Sequence, residues 1–169
     1  MKIRVERWTE AAEIPQITAL LNAAYAELAA MGFRYVATYQ DDEITRKRLE
    51  RGESFLALDA EAENRIVGTI NLCRPGLAGG TTPWYSRPEV ALFGQYGVLP
   101  DYQGRGIGSL LLDHVEKRSV ELGATELACD TAEDATHLIE MYGRRGYRFV
   151  EYTDWEVTNY RSVVLSKTL

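Results

Sequence analysis

The sequence predicts a mixed α/β fold, a central sheet of six to seven strands flanked by about four helices, in the order β-α-α-β-β-β-α-β-α-β-β. Three observations carry this prediction. Short apolar or period-two segments recur along the chain and are separated by stretches of helical periodicity. The apolar run Val90–Val98 passes through Pro100-Asp101 into a glycine-rich elbow that opens a strongly amphipathic helix. After that elbow only one further strand–helix pair remains, too few βαβ units for a doubly wound nucleotide-binding sheet.

Each element has its own signal. Ile3 to Trp8 alternates at period two and reads as a first strand. Thr9 offers an N-cap, Pro15 suits a first turn, and Ile14, Ile17, Leu21, Ala24 or Tyr25, and Leu28 recur at helical spacing until Gly32. Residues 41–51 read as a short charged helix anchored by Ile44 and Leu49. Ser54–Ala60 and Arg65–Cys73 read as a hairpin around Glu61–Asn64. Pro75–Pro88, rich in Gly, Pro, Ser and Thr and carrying Trp84 and Tyr85, is a candidate substrate-facing loop.

The helix expected over Gly104–Leu122 buries Ile107, Leu111, Val115 and Leu122, with Gly123 at its C-terminal stop. A short strand, Glu126–Asp130, follows. Thr131-Ala132-Glu133-Asp134 has the outline of a capping box before a helix carrying Ala135, Leu138, Ile139 and Tyr142 on one stripe. Arg144 and Arg145 suit its C-terminal dipole, and Gly146 stops it. Tyr147–Trp155 and Val157–Ser166 are expected as two antiparallel strands. No repeat or linker interrupts the 169 residues, so a single domain over 1–169 is expected.

Composition narrows the function. Apolar residues make up 46% and charged residues 26%, ordinary for a globular protein. A net charge of −6 without any basic block argues against nucleic-acid binding. No apolar run reaches membrane-span length and Met1–Glu6 does not read as a signal peptide, so no membrane partner and a cytoplasmic location are expected. Cys73 and Cys129 lie in apolar strand-like segments and read as buried reduced thiols. Two histidines, His114 and His137, without clustered ligands point to no metal site.

The elbow is the most informative stretch. A strand that delivers a Gly-rich loop to a helix N-terminus offers converging unpaired N–H groups and a favourable dipole to an anion. Gly104, Gly106 and Gly108 let the main chain approach a bulky phosphate. A P-loop string GxxxxGK[ST] is absent. A dinucleotide fingerprint fits poorly: the third glycine falls one residue early, Ser109 sits where Gly or Ala belongs, and Leu99 to Gln103 separate strand from loop. Only Asp130 imitates the ribose-binding acid of that fold.

Gln103-Gly104-Arg105-Gly106-Ile107-Gly108 instead resembles the Q/R-x-x-G-x-G/A signature of the GCN5-related N-acetyltransferases (GNAT), together with Val98-Leu99-Pro100 before it and Ser109 to Leu112 after it. The resemblance is specific over 90–147 and topological before that. It implies a GNAT-like sheet, acetyl-CoA as cofactor, and acetyl transfer to an amine by direct attack in a ternary complex. Gln103, Gly104, Arg105, Gly106, Ile107, Gly108 and Ser109 then cradle the diphosphate, although a loop arginine such as Arg105 is equally at home in solvent. Tyr96 resembles the residue whose N–H faces the acetyl carbonyl, and Val98 the one that pairs with pantetheine. Gly97 between them suits a bulge or a close backbone approach.

Met141 to Tyr147 matches the family string L-Y-x-x-x-G-F, which puts Tyr142 in the place of the acid that protonates the departing thiolate; a half-buried core tyrosine would read the same. Glu89 resembles the base that deprotonates the amine, or is an exposed strand-end charge. The family often has Asn seven residues before the tyrosine. Here that position is Ala135, leaving Thr131, Glu133 or Thr136 to replace it. Asp130 can hold a cationic substrate or cap the next helix, and Gln95 can face the substrate cleft. Asn159 to Ser162 can line that cleft, form a dimer interface, or be ordinary strand.

The expected function is therefore N-acetylation of a primary amine of a small molecule or peptide, with a second copy of the chain as a candidate partner in a homodimer. A non-catalytic acyl-CoA-binding module on the same fold, or a nucleotide-binding oxidoreductase, are the alternatives.

Overall fold

The computed structural model describes residues 1–76 and 82–169. One sheet contains β1 (Ile3–Arg7), β2 (Glu53–Asp59), β3 (Arg65–Cys73), β4 (Val90–Val98), β5 (Glu126–Ala132), β6 (Arg148–Asp154) and β7 (Arg161–Thr168), ordered β1-β2-β3-β4-β5-β7-β6. The α-helices are α1 (Ile14–Ala24), α2 (Ala26–Ala30), α3 (Asp42–Leu49), α4 (Ile107–Glu121) and α5 (Thr136–Arg144). Every strand pair is antiparallel except β4 with β5.

Alternation along β2 assigns its two faces. Phe55 and Ala57 point to the side covered by α4, where they meet Ile107, Leu111, Leu112 and Val115. Leu56 and Leu58 point to the side covered by α1, with Ile14, Ile17, Leu20 and Leu21. A strand buried on both faces reads as a continuous apolar run, which is why Ser54 to Ala60 carries little alternation. Burying a side chain such as Leu111 stabilises the fold by about 2 kcal/mol.

The parallel contact positions the site. It pairs Val90 with Glu126, Ala91 with Leu127 and Leu92 with Ala128, and goes no further. Beyond those pairs β4 runs on to Val98 and β5 to Ala132, so the facing edges of Phe93–Val98 and Cys129–Ala132 are left unpaired with each other. A bulge bends β4 at this point: Gly97 pairs with Thr69 and Gly94 with Asn71, so Gln95 and Tyr96 together oppose Ile70, and Gln95 takes a φ of 49°. The bulge therefore lies before Gly97. Gly97 serves the other purpose, close approach, because a Cβ there would press on Ala24 and Leu21 of α1.

Several expectations need correction. The first helical stretch is two helices broken at Tyr25 (φ −100°, ψ 2°), and Thr9 caps nothing; a short turn with Glu10 at its head precedes α1. Helix α4 begins at Ile107, after the glycine elbow, and Leu122 is only half-buried. The capping box does not form. Strand β5 continues to Ala132, α5 begins at Thr136, and the Thr131 hydroxyl meets the Tyr35 phenol at 2.8 Å. The last strand starts at Arg161, leaving residues 155–160 as a turn. Cys73 is half-buried, whereas Cys129 is buried.

Candidate active site

The loop after β4 is stitched to its own strand. The Gln103 side chain donates from Nε2 to the Val98 carbonyl at 3.1 Å, and the Tyr102 N–H donates to the Leu99 carbonyl at 2.8 Å. Gly104 and Gly106 then take φ values of 72° and 83°, a left-handed conformation costly for other residues. This turns the chain so that the N–H groups of residues 104–109 donate to no protein oxygen among the described residues. Their alignment at the start of α4 adds the helix dipole. A Cβ on Gly104 or Gly106 would meet nothing within 4 Å, so the space beside these amides is open. A diphosphate fits this donor set.

Around that cradle, Ile107 is buried and anchors the helix, Ser109 is exposed in its first turn, and exposed Arg105 lies 5.3 Å from the Tyr102 ring. Gly108 has a separate reason to lack a side chain: a Cβ there would collide with the Tyr96 hydroxyl. Tyr96 thus lies against the first turn of α4, and burial pushes its phenol up to about 12. The Tyr96 carbonyl accepts from the Tyr25 hydroxyl at 3.0 Å, which locks the bulged strand to the α1–α2 break.

Tyr142 is buried beneath the parted strands, its ring 6.0 Å from Phe93 and 5.7 Å from Tyr147. Its hydroxyl makes no hydrogen bond to the described residues, and burial raises its pKa well above the ordinary phenol. It is therefore a neutral donor without an acceptor among the described residues. On the facing strand, burial likewise drives the Cys129 thiol far up, which keeps it inert.

Ala135 is fully buried against Leu28, Tyr35 and Ala132 and offers no polar side-chain group. Of its expected substitutes, Thr131 is engaged by Tyr35 and Glu133 by Arg161, while Thr136 is exposed on the first turn of α5.

A second group of residues collects on the other side of the gap. Asp130 accepts from the Tyr85 hydroxyl at 2.8 Å on Oδ1 and from Trp155 Nε1 at 2.9 Å on Oδ2; it caps no helix. Burial raises its pKa and the two donors oppose that shift. Tyr85 is thus a buried prop for Asp130. Gln95, buried in the bulge, faces the Gln40 amide at 3.0 Å and receives the Arg48 guanidinium at 2.7 Å from Nε and 3.2 Å from Nη2. The tail segment closes this side: Asn159 Oδ1 accepts from the Arg34 N–H at 2.8 Å, and the Tyr160 ring lies 4.8 Å from that of Tyr35.

Other candidates fall outside this grouping. Glu89 stands at the closed end of the parted strands, where its carbonyl pairs with the Thr125 and Glu126 amides and its carboxylate with Arg87 at 2.6 Å. From Tyr96 it is separated by about 20 Å of extended chain. Trp84 packs with Tyr85 and Val90 at that end, 4.3 Å below Arg87. Residues 77–81 of the proposed substrate loop lie outside the described residues. His114 rests on Phe55 at 4.4 Å, its pKa lowered by burial, and His137 is exposed.

Sequence reasoning missed Arg48, Gln40, Tyr25 and Trp155. For Arg48 a signal existed. Ile44, Thr45, Arg48 and Leu49 share one face of α3, so a basic side chain was placed on the apolar face.

A row of amides without protein acceptors among the described residues, at a helix N-terminus beside a parted pair of parallel strands, is an arrangement suited to an acetyl-CoA-dependent acyltransferase. The chain belongs to the acetyltransferase (GNAT) family, whose profile matches residues 21–147. Among curated relatives it is similar to the S-(2-succino)cysteine N-acetyltransferase of Bacillus subtilis, 30% identical over 149 residues, 86% of this chain and 82% of that one. It is also similar to the S-alkylcysteine N-acetyltransferase of the same organism, 28% identical over 91% of this chain and 83% of that one. A GNAT family acetyltransferase from Elizabethkingia anophelis with acetyl-CoA bound shares the fold at a TM-score of 0.67, with 20% identity over 99% of this chain and 98% of the other. No helix among the described residues is long and apolar enough to cross a membrane.

Proposed function

We propose that residues 1–169 act as one domain that N-acetylates the primary amine of a small molecule, with amine and acetyl-CoA bound together and the amine attacking directly. Bound acetyl-CoA supplies an activated acyl carbon on a thiol leaving group. The observation that carries the reading is the free row of N–H groups at 104–109 opening onto the unpaired edges of β4 and β5. Those amides hold the diphosphate, the edge of Phe93–Val98 aligns the pantetheine arm, and Thr136 takes over the contact that Ala135 cannot make. Tyr142, kept neutral by burial, carries the proton that the departing sulfur needs.

The printed names of the curated relatives support an amino-acid amine as acceptor, and S-substituted cysteines are the first compounds to try. Asp130, oriented by Tyr85 and Trp155, is in this reading the group that receives the substrate ammonium and takes the proton its nitrogen must lose before it attacks. Glu89, tied to Arg87 at the closed end, is left out of the catalytic set. The test is thiol release from acetyl-CoA across a panel of amines, amino acids and short peptides. Turnover with small amines supports the reading. Tight coenzyme binding with no thiol release from any acceptor supports a non-catalytic acyl-CoA-binding module instead.

A further inference from the structure

Three arginines are half-buried, and two of them are neutralised by carboxylates: Arg118 by Glu53 and Glu121, Arg145 by Asp113 and Glu116. Arg48 is the third, and no carboxylate among the described residues reaches it. Its guanidinium is held by the side-chain oxygen of Gln95, at 2.7 Å from Nε and 3.2 Å from Nη2, and burial lowers its pKa. A guanidinium carries five N–H donors, and among the described residues the Gln95 contacts leave the rest of the fork unengaged. Gln95 is in turn braced by the Gln40 amide at 3.0 Å, which also meets the Thr45 hydroxyl at 2.7 Å, and Thr45 is joined to Thr18 at 2.8 Å.

This amounts to a built support for one cation. The bulge at Gln95, with its unusual φ of 49°, puts that amide where it can grip Arg48. A charge so placed is costly unless an anion meets it. The carboxylate whose charge acts on it is Asp130, which forms no ion pair with it but attracts it. Asp130 likewise has no ion-pair partner among the described residues, its two oxygens held by neutral donors from Tyr85 and Trp155. Arg48, held by Gln95 on the unpaired edge of β4, and Asp130, on the unpaired edge of β5, thus carry opposite charges at the parted strands, each fixed by neutral partners. A ligand with an ammonium and a carboxylate on one small framework complements both.

We propose that Arg48 is the carboxylate receptor of the acceptor site, and that Arg48 with Asp130 selects a zwitterionic α-amino acid over amines, amides and esters of the same side chain. This rests on the acetyl-transfer reading above and assigns its specificity. Arg48 binds and orients the acceptor carboxylate through its free N–H groups, which leaves the ammonium at Asp130 on the same side as the parted strands. Gln95 and Gln40 are positioning residues that act through Arg48.

The test uses the full chain and thiol release from acetyl-CoA with matched sets: S-methyl-L-cysteine, its methyl ester, its amide, and the decarboxylated amine. The free amino acid is expected to exceed the others by about 100-fold in kcat/KM. Arg48→Gln is expected to abolish that preference through KM, leaving the dissociation constant for coenzyme A unchanged. Arg48→Lys, which keeps the charge and loses the fork, is expected to restore part of the preference; it also serves if Arg48→Gln fails to fold. Equal use of amino acid, ester and amine by the wild type, or a preference that survives Arg48→Gln, overturns the assignment and leaves acetyl transfer standing. Thiol release with no member of any amine panel overturns both.

Discussion

The hydroxyl of Tyr96 occupies the space that a Cβ on residue 108 would need, so Gly108 and Tyr96 are a matched pair across the strand-to-helix elbow. The pairing separates the roles of the glycines. Gly104 and Gly106 are required by backbone conformation, Gly108 by a neighbour's side chain. Gly108→Ala should destabilise the chain by about 1–3 kcal/mol through overpacking. Tyr96→Phe removes the colliding oxygen, so in that background the same change should cost little. Thermal unfolding of the four members of this cycle measures the coupling.

Gly106→Ala forces a Cβ into a left-handed residue and should cost about 1–2 kcal/mol in stability. It should also weaken coenzyme A binding about tenfold or more by turning the amides of the elbow. Pantetheine, which has no diphosphate, should bind the wild type and the variant alike. Isothermal titration with both ligands reads the difference.

Tyr142→Phe deletes a hydroxyl with no protein partner among the described residues, so stability should change by less than about 1 kcal/mol. If Tyr142 protonates the leaving sulfur, kcat should fall about 100-fold while the coenzyme A dissociation constant is unaffected. Steady-state kinetics with an acceptor found by the panel, together with calorimetric binding, separates the two effects.

The acid limb of the kcat/KM profile should report Asp130. Burial raises its pKa, and the Tyr85, Trp155 and Ser162 donors and the Arg48 charge pull it back. Tyr85→Phe removes a donor that favours the ionised form. The folded-state value then rises further, and the acid limb moves to higher pH. A profile that stays in place removes Asp130 from the reaction.

Glu53 offers a stability test away from the site. Buried between Arg118 and Arg74, its carboxyl is held down at about 2 by the hydrogen bonds of both guanidiniums, Arg118 first. A depressed carboxylate stabilises the fold above its unfolded value, near 4.5, and that contribution is lost as pH falls from there towards 2. Glu53→Gln should cost about 3 kcal/mol at neutral pH and flatten this acid limb of the unfolding free energy.

Much of the fold was legible in the sequence because its signals are local. The run Val90–Val98, the Pro-Asp turn and the alternate glycines each report their own backbone, and together they located the glycine elbow and α4. What was not legible depends on partners far along the chain. The bulge at Gln95 is a pairing decision between β3 and β4. Thr131 has the composition of a cap and is recruited instead by Tyr35, some hundred residues earlier. Tyr85, in a loop of turn-forming residues, reads as exposed, yet its hydroxyl has Asp130 to reach and so goes inside. Arg48 sits among Arg46, Lys47 and Arg51, and only its face on α3 distinguishes it.

Amide chemical shifts during titration with acetyl-CoA test the central claim most directly. The backbone N–H signals of residues 104–109 should move saturably, and pantetheine should leave them in place while shifting those of β4. Saturation of acetyl-CoA binding with the 104–109 amides unmoved would contradict the account.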